Sequence, residues 1–457
     1  MDILIQGGTV VSAKESKICD IRIRDEKIAE IGESLDPSQA EVIDARGKLI
    51  FPGFIDTHTH FDLDAGDFHT ADNFETGTKA AIAGGTTTIL DFTTQEKGET
   101  LMEALNNWHK LADGNASCDY SFHMSITEWN SFVKKELKTM TEEGITSYKL
   151  YMAYDNLRIS DQEIFEILKE VTKEGGIIGV HCENGDLIKA CTKELKDAGE
   201  YSVSAHPKSR PDVVEAEAIH RLLTIAKLAK APINIVHLST KRGFEVIQRA
   251  RADGQKVYVE SCPQYFCMDE SKYELPGFES AKFVLSPPLR RGDDITCLWN
   301  ALKNDEIDTI GTDHCSFNFH VQKERGKDDF TKIPNGIPGV EHRPVFMYTA
   351  GVASGKITKE QMCAALSERP AKLFGLFPRK GVISVGSDAD IVIWDPEQKG
   401  VISAKTQFQN VDYTPFEGFE TKGAALTVFL RGKKVFDSGK IIAEKEGIYL
   451  KRTKSDL

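Results

Sequence analysis

The spacing of apolar and polar residues changes character twice along the chain. Up to about residue 50 it runs as short two-residue alternations, at 3–5, 9–11, 21–23, 27–31 and 42–44. They are separated by Gly-Gly, Arg-Asp-Glu and Ala-Arg-Gly turn signals, and predict strands. The same texture returns at 388–394, 426–430, 434–436 and 440–442. Between the two ends, β-rich apolar runs alternate with longer stretches of helical period, the pattern of βα units and a parallel sheet. The runs at 53–60, 86–93, 120–126, 147–152, 177–183, 233–239, 257–263 and 308–314 predict eight strands. Helices are predicted at 74–83, 101–112, 161–174, 213–229 and 243–252. Eight such units favour a closed α/β architecture, a (β/α)8 TIM-type barrel over 51–379. The two β-rich ends, 1–50 and 380–457, predict one small β-sandwich-like domain built from both termini.

Composition narrows the class. Of 457 residues, 40% are hydrophobic and 28% charged, enough for a large core. Lys plus Arg at 57 against Asp plus Glu at 70 gives a net charge of −13, which argues against nucleic acid or an anionic membrane as partner. No apolar run reaches the roughly 20 residues that span a bilayer, and the first residues lack the basic region of a signal peptide. Nine scattered cysteines without a Cys-x-x-Cys pair read as reduced thiols in a cytoplasmic protein.

Barrels of this kind place their chemistry at the C-terminal ends of the strands. There the first predicted strand ends His58-Thr59-His60, whose alternate imidazoles share one face. The fifth strand carries His181, the sixth His237 and the eighth Asp313. One strand histidine is ordinarily a core residue; four with an aspartate, all at strand ends, point to a metal site. Lys149 is the only basic residue of its apolar strand. Burial and nearby metal charge depress a lysine pKa and expose an amine able to capture CO2 as a carbamate.

Several ordered motifs then carry a resemblance. Asp56-x-His58-x-His60 after Phe51-Pro52-Gly53, the Lys149 strand, His181, His237 and Gly311-Thr312-Asp313-His314 resemble the amidohydrolase superfamily. Tyr148-Lys149-Leu150-Tyr151-Met152-Ala153-Tyr154, Glu260-x-Cys262-Pro263-Gln264-Tyr265, Ser286-Pro287-Pro288-Leu289-Arg290 and Pro334-Asn335-Gly336-x-Pro338-Gly339 resemble its hydantoinase/dihydropyrimidinase branch, and Cys315-Ser316-Phe317 and Phe416-Glu417-Gly418-Phe419 its D-phenylhydantoinase-type members. The likeness covers nearly the whole chain.

The resemblance implies two divalent ions, Zn2+ with Mn2+ or Co2+ as alternatives. His58, His60, N6-carboxylated Lys149 and Asp313 would hold one ion, and Lys149, His181 and His237 the other. It implies that Asp313 moves the proton, Tyr154 stabilises the oxyanion, and Ser286 and Asn335 hold the amide edges of a small cyclic amide. It further implies a homotetramer that opens 5-substituted hydantoins to N-carbamoyl amino acids, with D-selectivity. Dihydropyrimidinase activity is the alternative, allantoinase a more distant one. A non-catalytic scaffold of the same fold is disfavoured because all six ligand positions keep coordinating residues. Asp62 stands where dihydroorotases commonly carry an arginine, which speaks against an anionic dihydroorotate. Leu63, Phe68, Tyr151 and Leu157 are expected to line the ring substituent. His123 is expected in the core or behind the ligands rather than among them, His314 to point to the face opposite Asp313, Cys182 and Cys315 to pack, and Asp62, Asp64 and Asp67 to form a solvated loop.

Overall fold

A computed structural model describes residues 2–64, 66 and 68–455. Among these the strands are β1 (Asp2–Val11), β2 (Ser16–Arg24), β3 (Lys27–Gly32), β4 (Ala40–Asp44), β5 (Leu49–Pro52), β6 (Phe54–Thr59), β7 (Thr86–Thr94), β8 (Asp119–Ser125), β9 (Ser147–Tyr151), β10 (Ile177–His181), β11 (Ile233–Ile235), β12 (Val257–Ser261), β13 (Thr309–Ile310), β14 (Ile391–Val401), β15 (Glu420–Leu430), β16 (Lys433–Asp437) and β17 (Lys440–Ile441). β6 to β13 form one parallel eight-stranded sheet in sequence order. The remaining nine form a mostly antiparallel sheet in which β14 pairs with β5, joining the two ends of the chain. Its isoleucine-rich face, Ile5, Ile21, Ile23, Ile50, Ile391 and Ile393, is a core of its own.

The helices start where side chains can serve their free N–H groups. Asn73 with Thr76, Thr100 with Glu103 and Ser160 with Glu163 are reciprocal capping boxes ahead of helices Phe74–Ala83, Leu101–Ala112 and Asp161–Lys173. Their apolar faces pack on the barrel strands in one continuous core. Among the described residues, no helix is long and apolar enough to cross a membrane.

The barrel closes between its first and last strands. β13 is too short for a long ladder with β6, and side chains complete the seam. The buried guanidinium of Arg343 donates to Ile55 O at 2.7 Å and Ile310 O at 2.8 Å. Asp56 accepts from Thr312 N and Oγ1 at 3.0 and 2.7 Å, and His60 N donates to His314 O at 2.8 Å.

The structure redraws some predicted elements. The alternations at 3–5 and 9–11 are a single strand, β1, whose register shifts between Ile5 and Gly8; Gly7, at φ +70°, forms the irregularity. The strands predicted at 233–239 and 308–314 are only β11 and β13. Their apolar runs continue, but His237 (φ +39°) and Asp313 (φ +54°) turn into left-handed backbone past the strand ends.

Candidate metal centre

β6 delivers His58 and His60 to the barrel mouth, and the turn after β13 brings Asp313 to meet them. The ligand atoms of these three lie within 4.8 Å of one another. Asp313 Oδ1 is 3.2 Å from His58 Nε2 and 3.1 Å from His60 Nε2. His237 continues the cluster, its ring centroid 5.6 Å from that of His58 and 4.7 Å from that of His181. Lys149 is 1% exposed, with Nζ 4.9 Å from the Phe92 centroid and 5.3 Å from that of Tyr151. Its charge acts on His58, His60, His181 and His237. The structure therefore gathers all six residues singled out as ligands.

Protonation follows from the surroundings. Burial drives His60 down to about 4, and lowers His181 and His237. Neutral imidazoles are the form that coordinates a cation. Burial also works to lower His58, but the carboxylates of Asp313 and Glu260 outweigh it and raise it. Burial would raise Asp313, yet His58 and His60 hold it far below the usual carboxylate range. Desolvation brings Lys149 down to about 8 against the pull of Asp313 and Glu260.

Two carboxylates orient the imidazoles. His58 Nδ1–H donates to Glu260 Oε1 at 2.6 Å, which leaves the lone pair on Nε2 facing the cluster. Glu260 Oε2 also accepts from Thr57 Oγ1 at 2.6 Å. Gly311 makes this packing possible, since a Cβ there would lie 2.9 Å from both Glu260 Oε2 and His58 Cβ. His181 Nε2–H donates to Glu183 Oε2 at 2.9 Å, and Glu183 is held in turn by Arg210. His181 Nδ1 then faces His237 Nε2 at 3.0 Å. His58 Nε2 and His237 Nδ1 are buried without a hydrogen-bond partner among the described residues. Unsatisfied buried nitrogens beside a carboxylate and an activated amine are a donor set that fits divalent cations.

Around the cluster lie the other singled-out residues. Tyr154, also left-handed at φ +67°, sits 5.1 Å from the His181 ring, with Arg210 over its own ring at 5.6 Å. Left-handed backbone at Tyr154, His237 and Asp313 costs about 1–3 kcal/mol each, a strain that the surrounding packing must sustain. The Ser286 hydroxyl faces the Tyr154 phenol and has no partner of good geometry. The loop of Ser286 is tied to that of Asn335: Gly336 N donates to Val284 O at 3.1 Å, and buried Lys323 Nζ donates to Val284 O and Pro334 O at 3.1 and 3.0 Å. His206 Nε2–H adds a bond to Leu285 O at 2.8 Å.

Some residues fall elsewhere. His314 turns from the cluster to Asp72 at 3.1 Å, and Cys182 and Cys315 are buried thiols whose pKa burial pushes up. Asp62 is not a solvated group: its carboxylate accepts Phe74 N at 2.8 Å and secures the first turn of helix Phe74–Ala83. Asp64 is exposed, and Asp67 lies outside the described residues. Phe68 meets Phe317 edge-on at 6.2 Å, beneath the Arg325 guanidinium at 4.7 Å. Sequence reasoning gave no role to Glu260, Glu183 or Arg210. Glu260 had a signal, as the lone acid of the apolar strand β12, the counterpart of Lys149 in β9.

Comparison with known proteins places these features in a lineage. The Amidohydrolase family profile matches residues 49–435. A protein of Geobacillus stearothermophilus named D-hydantoinase is 46% identical over 454 residues, covering 99% of this chain and 96% of its own. One of Rattus norvegicus named dihydropyrimidinase is 42% identical, covering 96% of this chain and 86% of its own. The crystal structure of a dihydropyrimidinase from Brevibacillus agri NCHU1002 superimposes with a TM-score of 0.98 at 44% identity, covering 100% of this chain and 99% of that one.

Proposed function

The chain belongs to the amidohydrolase family, and from that premise we propose that it opens 5-substituted hydantoins to N-carbamoyl amino acids with D-selectivity. The observation that carries the reading is buried Lys149 among four imidazoles and the Asp313 carboxylate at the mouth of the barrel. His58, His60, Asp313 and N6-carboxylated Lys149 would hold one divalent ion, and Lys149, His181 and His237 would hold the second. The nitrogen and oxygen donors support Zn2+, and Mn2+ and Co2+ accept the same set. Ions held there would supply Lewis acidity to the amide carbonyl and to water near neutral pH.

The chain's own groups do the rest. Asp313, kept ionised by its two histidines, accepts the proton of the attacking water and returns it to the departing ring nitrogen. Tyr154 donates its phenolic hydrogen to the oxygen that gains charge as the carbonyl becomes tetrahedral. Burial raises its pKa, so the donor proton is retained at neutral pH. The linked loops of Ser286 and Asn335 present backbone groups to the amide edges, and Leu63, Phe68, Tyr151 and Leu157 line the substituent. Nine free thiols support a reducing, cytoplasmic setting, and the family resemblance supports a homotetramer.

The relatives named dihydropyrimidinase favour one second reading, dihydrouracil opening by the same chemistry. The deciding experiment measures metal per chain and compares turnover of phenylhydantoin with dihydrouracil. About two metals and faster phenylhydantoin opening are expected. Preference for dihydrouracil would transfer the assignment to that ring, and a protein with neither metal nor turnover would overturn both readings.

A further inference from the structure

His123 is neither a ligand nor a plain core residue. The β6–β7 ladder is interrupted between Asp56 and Thr59, so the stretch containing Thr57 and His58 is placed by side chains. His123, on β8, supplies one of them. Its ring stacks on Phe92 with centroids 4.7 Å apart and 23° between planes, and Phe92 stacks on His60 at 4.9 Å and 24°. Its Nε2 is 3.1 Å from the Thr57 carbonyl, and its Nδ1 is 2.5 Å from Ser147 Oγ. A carbonyl only accepts, so Nε2 carries the proton and Nδ1 accepts the Ser147 hydroxyl.

The Ser147 oxygen in turn accepts from Arg452 at 2.8 Å. Arg452 belongs to a segment that passes beneath the barrel on the face opposite the metal centre. There Leu450 N donates to Tyr120 O at 2.7 Å and Tyr120 N to Ile448 O at 3.1 Å. Its guanidinium, 4% exposed, enters between the first residues of β8 and β9 and also donates to Ser121 Oγ and to the carbonyls of Phe122 and Phe374. Each link has its direction fixed: Arg452 N–H to Ser147, Ser147 O–H to His123, His123 N–H to Thr57 O. Ser147 lies two residues before Lys149 on the same strand. One chain of bonds therefore spans the barrel floor and reaches two of the strands that carry candidate ligands, β6 and β9.

We propose that Arg452 is a positioning residue for the metal centre, acting through Ser147 and His123 on the interrupted strand that carries His58 and leads into His60. A group on the floor of a barrel ordinarily serves stability alone. This one also sets how firmly the ligands at the mouth are held, because partners of the groups beside a metal ligand govern its affinity.

The inference rests on the metal reading of the site, so the parent protein is measured beside the variants. Parent, Arg452→Ala and Ser147→Ala are loaded with zinc and titrated with a chelator to find the concentration that removes half the metal. Circular dichroism, thermal midpoint, kcat and KM are recorded in parallel. Both variants are expected to keep the parental spectrum and to release half their metal at about tenfold lower chelator. Their kcat should fall while KM stays within about twofold. Millimolar guanidinium should restore the chelator midpoint of Arg452→Ala and leave that of Ser147→Ala unmoved. If Arg452→Ala does not fold, Ser147→Ala decides alone, since it removes one hydroxyl and leaves the other guanidinium bonds in place. Folded variants with the parental chelator midpoint overturn the inference, whatever happens to their thermal midpoints. A parent without metal or turnover overturns the catalytic reading instead.

Discussion

His58 and Glu260 meet at 2.6 Å across 202 positions of sequence, and this contact decides which imidazole nitrogen faces the cluster. Glu260 accepts the Nδ1 proton, so Nε2 presents its lone pair 3.2 Å from Asp313. Replacing the carboxylate by an amide removes a charge-assisted acceptor and offers a competing donor. Glu260→Gln is expected to fold and to bind metal about 10–100-fold more weakly. Equilibrium dialysis checks this, and parental affinity would remove Glu260 from the orientation of His58.

Lys149 is the one side chain here whose assigned role requires covalent modification. Lys149→Ala should lose turnover by about 100-fold or more, with the fold retained. Added short-chain carboxylic acids, which can occupy the space of the missing carbamate, should restore part of it. Full activity in the unassisted variant would exclude the carbamate.

The Tyr154 phenol stands beside His181 and Ser286 on a left-handed turn. Tyr154→Phe keeps the ring and deletes one donor. A loss of about 10²–10³ in kcat with little change in KM is expected if the donor serves the developing oxyanion. A rise in KM alone, in steady-state kinetics on hydantoin, would reassign the phenol to ground-state binding.

Glu341 makes a prediction about stability rather than catalysis. Burial raises its pKa to about 8, against the backbone bonds that its carboxyl accepts from Phe408 and Gln409. A carboxyl raised on folding binds its proton more tightly in the native state. Its contribution is therefore complete below the ordinary glutamate range and is lost as pH rises towards 8. Both backbone bonds end on one oxygen, which glutamine can reproduce. Glu341→Gln should flatten the fall of the thermal midpoint between pH 5 and about 8 and be the more stable protein at the upper end. Parallel curves for the two proteins would show that Glu341 is not the group responsible.

How far the chain could be read in advance depended on whether a feature was local. The barrel was legible because apolar runs and helical periods alternate, and the candidate ligand cluster because histidines stand where those runs end. Lys149 announced itself as one base in an apolar strand. Glu260 was marked as clearly, as an acid in β12, but its partner lies across the barrel and no local pattern names it. The same holds for Arg343, which joins Ile55 to Ile310. The strands predicted at 233–239 and 308–314 overrun the ladder because hydropathy reports burial, and the buried runs continue through His237 and Asp313, whose backbone has left it. Asp62 was misjudged for the opposite reason: a polar loop residue can be committed to a helix terminus that lies twelve residues further on.

The seam between β6 and β13 has one more consequence. His58 and Thr312 are separated by 254 positions, yet Thr312 Oγ1 rests on the His58 carbonyl and the neighbouring Asp313 completes the ligand cluster. The cluster thus exists only after the two ends of the barrel sheet have found each other. A half-built barrel, or a fragment that stops short of β13, has the histidines without the carboxylate that gathers them. If the cluster holds ions as proposed, their uptake would report that the first and last strands of the barrel have met.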